Sequence, residues 1–77
     1  MNTALSIRMN LSKNLAEALH QELRERLRMG IQEHWYSDEF RRVPDGLRTS
    51  AILSAYPALA AQKTTLGALQ VAIRKQA

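Results

Sequence analysis

The side chains able to do chemistry in this chain are few, and their spacing limits what they can do. There is no cysteine to act as a nucleophile or soft metal ligand, and the two histidines, His20 and His34, stand fourteen positions apart. A zinc site needs about four ligands with recognisable close pairs, and neither histidine has a second histidine or a cysteine beside it. Asp38 and Glu39 are adjacent, so on a helix their side chains diverge, and Ser37-Asp38-Glu39 reads as a helix start. With only three glycines in 77 residues, no phosphate-cradling loop is present. No catalytic constellation, cofactor or metal is therefore expected, and the chain is read as a binder and not an enzyme.

What it could bind is suggested by charge. Eleven Lys and Arg against seven Asp and Glu give a net charge of +4, with a pI near 10.1. The excess is uneven. Residues 1–30 carry five bases and three acids, residues 31–56 three bases and four acids, and residues 57–77 only Lys63, Arg74 and Lys75 with no acid at all. Such ends suit a phosphate backbone or an acidic protein surface, provided the bases converge on one face.

The elements that must position these residues are helical. Ser12 can cap a first helix, with Leu11 packing on Ala16 as a staple. Leu11, Leu15, Leu19, Leu23, Leu27 and Ile31 then recur every fourth residue. Steps of four advance about 40° around a helix, so the stripe winds about the axis. Either two different helices cover its ends, or a kink at Gly30 resets the face. Asp45 is expected to cap a second helix, with Leu47, Ala51, Ile52 and Ala55 inward and Arg48 outside. Pro57 fits a first helical turn, so Pro57–Gln62 reads as a short third helix. Thr64 or Thr65 would then cap a last helix, Thr65–Gln76, whose apolar face is Leu66, Leu69, Ala72 and Ile73.

Short helix, tight turn and capped helix are the order of a helix-turn-helix. The stretch Thr65-Leu66-Gly67-Ala68-Leu69-Gln70-Val71-Ala72-Ile73-Arg74-Lys75 resembles the recognition helix of GntR-type regulators, over about a seventh of the chain. It departs from that family upstream, where Gln62 and Lys63 occupy a turn that usually holds a glycine, and no winged hairpin follows. The resemblance implies DNA binding, with Thr64, Thr65 and Gln70 on base edges or phosphates and Lys63, Arg74 and Lys75 mainly on phosphates. The long first helix would pair two protomers.

Residues 1–10 are set apart as an arm or short strand, because Leu5, Ile7 and Met9 alternate with Ser6, Arg8 and Asn10. A strand there would have to pair with its copy in a dimer or with a partner. In a ribbon-helix-helix arrangement Ser6, Arg8 and Asn10 would face the DNA groove. The long interval from Gly30 to Asp45 ranks that route below the helix-turn-helix.

A rival reading rests on the middle of the chain. Trp35, Tyr36 and Phe40 are three of the four aromatic residues and lie beside Arg41 and Arg42. Trp, Tyr and Arg are the residues most enriched at binding hot spots. Trp35 and a neighbour are expected in the core, leaving Tyr36, Arg41 and Arg42 to anchor a protein partner, as in a phage- or plasmid-type inhibitor or adaptor.

The sequence thus predicts an all-α domain of three or four helices over residues 11–77, with the arm before it. A small core favours association, here as a homodimer. The expected function is a small dimeric DNA-binding regulator, DNA being preferred to RNA. The alternative is a protein-interaction module. No apolar run suits a signal peptide or a membrane span, so the expected location is the cytoplasm and no membrane partner is expected.

Overall fold

In the computed structural model, which describes residues 4–76, three α-helices account for the regular structure. They are α1 (Lys13–Trp35), α2 (Asp45–Ala55) and α3 (Pro57–Gln76). Residues 1–3 of the expected arm, and Ala77, lie outside the described residues. Residues 4–12 run up to α1 without helix or strand.

α1 starts where a cap permits. Ser12 holds an extended backbone and its hydroxyl accepts from the Leu15 amide at 3.3 Å, satisfying one of the donors that a helix start leaves open. The helix passes through Gly30 without interruption to Trp35. α1 packs against both other helices, more extensively against α3 than against α2. At its start Leu15 remains exposed, whereas Leu19, Leu23, Leu27 and Ile31 are half-buried.

Gly30 has a packing role. A Cβ there would stand 2.5 Å from Leu59 Cδ2, so the Leu59 side chain, in the first turn of α3, fills the space over Gly30 and would have to shift for a larger residue. Gly67, midway along α3, has nothing within 4 Å of its would-be Cβ. Glycine costs about 1 kcal/mol relative to alanine inside a helix, and overpacking costs about 1–3 kcal/mol. Gly67→Ala should therefore raise thermal stability, while Gly30→Leu should lower it. A thermal melt followed by circular dichroism separates the two, and a Gly30→Leu melt at or above the parent value would contradict the packing.

The expected turn between Gln62 and Thr65 is absent: α3 is one helix of 20 residues. Between Pro57 and Gln76 no proline recurs, and Ala, Leu, Gln and Lys outweigh the two threonines. Thr65 does not cap a helix. Its hydroxyl donates to the Ala61 carbonyl at 2.8 Å, the back-bond by which a threonine is accommodated mid-helix. The fourth predicted helix therefore merges with the third.

Two further expectations change at α2. Pro44, not Asp45, occupies the N-cap, and Asp45 is the first helical residue. Arg48, placed outside by the sequence pattern, is 8% exposed, whereas Leu47 and Ala55, expected inside, are exposed. Arg48 has partners that draw it inward. Its Nε and Nη2 donate to the Val43 carbonyl at 3.1 and 2.8 Å, Nη2 also to Arg41 O at 3.1 Å, and Nη1 to Trp35 O at 3.3 Å. The guanidinium carbon lies 4.8 Å from the centre of the Trp35 ring. One side chain thus ties the end of α1 and the connector to α2, with the Asp45 carboxylate 3.2 Å away as counter-charge.

The connector itself makes one turn, with Ser37 O accepting from the Phe40 and Arg41 amides. The predicted helix start at Ser37 goes no further. Pro44 disfavours helical backbone at Val43, and Arg48 takes the carbonyls that a longer helix would use. Phe40 is buried and lies near the His34 and Tyr56 rings, which stack 4.1 Å apart. Partial burial, reinforced by the Glu39 carboxylate, holds the Tyr56 phenol above its usual range.

Candidate nucleic-acid interface

α1 and α3 run antiparallel, since Gly30 meets Leu59 at one end while Lys13, Glu17 and His20 face Gln70, Ile73 and Arg74 at the other. Those six residues line a shallow notch of ≈ 390 Å³. The pairing gives the bundle two flanks, one polar and one apolar, and the six residues expected to bind nucleic acid divide between them.

Lys63, Gln70 and Arg74 fall with Gly67 within about 60° of arc at 100° per residue, and all four are exposed. Gln70 and Arg74 border the notch and Lys63 continues the stripe toward the start of α3. Thr64 and Thr65 point away from it and line the opposite groove. Lys75 is exposed but lies about 100° round from Arg74. The structure therefore brings three of the six together, separates the threonines from them, and adds Lys13 and His20, which sequence reading did not select. Helical spacing carries no signal for these two: they join the stripe because α3 folds back on α1, so that the first turns of one meet the last turns of the other.

Charge on this flank is open to an outside partner. Arg26 and Arg28 are held along α1 by Glu22 (2.8 Å) and Glu25, Arg41 by Asp38 at 3.2 Å, and Arg48 by Asp45. The Glu25 carboxyl is accordingly lowered by its hydrogen bond and charge contact with Arg28. Among the described residues no carboxylate lies within ion-pair distance of Lys13, Lys63, Arg74 or Lys75. Glu17 is the one acid bordering the notch. Arg74 and Lys75 also occupy the last turn of α3, where cations oppose the negative end of the helix dipole.

The residues of the rival reading all lie on the surface. Tyr36 is 82% exposed and Arg41 and Arg42 are exposed, in or beside the connector between α1 and α2. Phe40 and half-buried Trp35 are the aromatic residues drawn inward from this stretch.

Among the described residues, no group of three or more His, Asp or Glu is placed to hold a metal ion. No described helix is long and apolar enough to cross a membrane. No family model, curated protein or solved structure matches the chain.

Proposed function

We propose that this protein is a small nucleic-acid-binding regulator that holds a phosphate backbone along the polar flank of α1 and α3. One observation carries the reading: α3 bears three bases and no acid, and two of those bases share an exposed stripe with Gln70 that continues across the notch to Lys13. Unpaired cations keep their full attraction for phosphate, whereas those held by Glu22, Glu25 or Asp38 would first have to give up a partner. Gly67 leaves the middle of the stripe without a side chain, so a backbone or base edge can approach the helix closely. Gln70, with both donor and acceptor, is the residue suited to a base edge; Lys13, Lys63 and Arg74 supply charge. Because the turn of a helix-turn-helix is absent, recognition here uses the side of a long helix. Duplex DNA is the preferred substrate.

The test is a salt series on the double variant Lys63→Gln, Arg74→Gln. If both residues meet phosphates on a duplex, the slope of log K against log salt should flatten by up to about two units relative to the parent. A parent and variant with equal slopes would remove α3 from the interface.

The rival reading, a protein-interaction module, is favoured by Tyr36 alone among the aromatics, since an 82% exposed tyrosine beside exposed arginines is a feature the fold does not use. Tyr36→Ala with Arg41→Ala leaves the buried residues untouched and should preserve helical content. A partner lost on that change, with nucleic-acid binding retained, would favour the module.

A further inference from the structure

On the opposite flank, α1, α3 and the arm enclose an open groove of ≈ 920 Å³. Its floor is Ala16 and Leu19 from α1 with Ala68, Leu69 and Ala72 from α3, and Lys13 is the one ionisable residue on its border. Leu5, Ile7 and Met9 border it while Ser6 and Arg8 do not, and Asn10, Leu11 and Ser12 continue that border into α1. From Leu5 to Met9 every second residue of the arm thus borders the groove, which is the rhythm of a strand. Yet the arm does not fill it: Leu5, Ile7 and Met9 are 86%, 80% and 65% exposed. Among the described residues, no hydrogen bond joins residues 4–11 to the rest of the chain. The arm therefore presents both an apolar face and unpaired backbone donors and acceptors.

We infer that a second copy of this chain covers the flank, its arm pairing antiparallel with this one about Ile7, so that the joined apolar faces close both grooves. The pattern is self-complementary. Centred on Ile7, antiparallel pairing sets Leu5 opposite Met9 of the partner subunit and Ile7 opposite its own copy on the apolar face. Ser6 then stands opposite Arg8 of the partner subunit on the other face, so no two arginines are placed directly across from each other. The extent is adequate as well. Leu5, Ile7, Met9, Leu11 and Leu15 leave on the order of 600 Å² bare on each protomer, which with the groove floor approaches the ~800 Å² per partner of a stable interface. The floor of alanines and leucines places no charge against this cover, and Lys13 stands only at its border. The inference does not depend on nucleic-acid binding, since of the residues assigned to phosphate or bases Lys13 alone also borders this groove.

The test uses the full chain without nucleic acid. Sedimentation should show a dimer at tens of micromolar, and Ile7→Asp should raise the dissociation constant at least about 100-fold while leaving the helical circular dichroism unchanged. The chain has no native cysteine, so Ile7→Cys introduces the sole thiol. In the inferred register that thiol faces its own copy at a Cα separation of about 4.5–5.5 Å, within disulfide range. Mild oxidation should give a covalent dimer, well ahead of a control cysteine at exposed Ser50 on α2. A monomeric parent at those concentrations, a dimer indifferent to Ile7→Asp, or equal cross-linking from position 50 would each overturn the inference.

Discussion

Arg48→Ala is expected to lower unfolding free energy by about 2–4 kcal/mol, because it strands three part-buried carbonyls at once. The Trp35, Arg41 and Val43 oxygens all accept from this guanidinium, and no other donor to them is found among the described residues outside the helix ladders. The Trp35 ring would also lose its covering cation. In a domain of this size each kcal/mol shifts the melting temperature by about 4–8 °C, so a fall of at least ~10 °C is expected. Arg48→Lys should recover less than half of it, since an ammonium keeps the charge but cannot reach several carbonyls in a planar fork. A melt within 2–3 °C of the parent for Arg48→Ala, well short of that ~4–8 °C per kcal/mol, would mean that water serves those carbonyls equally well.

A loss of similar size is expected from truncating either apolar side chain at the centre. Ile52 is fully buried and Phe40 nearly so. Large-to-small changes at such sites cost about 2–5 kcal/mol through lost transfer energy and the cavity left behind. Phe40→Ala also removes the ring packed near His34 and Tyr56. Leu47→Ala, one residue from Arg48 but exposed, should stay within about 0.5 kcal/mol of the parent. Urea unfolding of the three variants checks the ranking, and a Leu47→Ala loss equal to that of Ile52→Ala would place the core elsewhere.

Much of the helical framework was legible in the sequence because local rules govern it. Ser12 capped α1 as its hydroxyl allows, and the Pro44 and Tyr56-Pro57 boundaries of α2 follow from proline's missing donor and fixed φ. The winding leucine stripe leaves open two covering helices or a kink at Gly30; α1 runs unbroken through Gly30 and meets both other helices. Errors arose where tertiary partners outvoted local type. Thr64 or Thr65 reads as a cap, but Thr65 satisfies its hydroxyl on the Ala61 carbonyl of the preceding turn and leaves the helix unbroken. Arg48 reads as outside because arginine is seldom buried; only the carbonyls of Trp35 at the end of α1 and of Arg41 and Val43 in the connector make the interior favourable for it. Of the basic stripe, Lys63, Gln70 and Arg74 could be read from helical spacing alone. Lys13 and His20 could not, since their part depends on α3 folding back along α1.

The polar flank is assigned to phosphate by the proposed function, and the arm's apolar flank to another copy of the chain by the further inference. The first is the central functional claim. Its most direct test is titration of the parent protein into labelled duplex DNA, single-stranded DNA and RNA at about 50 and 200 mM salt. The proposal predicts binding at the lower salt, tightest for duplex DNA, and a steep loss of affinity at the higher one as displaced counterions return. Absence of binding at the lower salt, or affinity that does not change between the two, would contradict it.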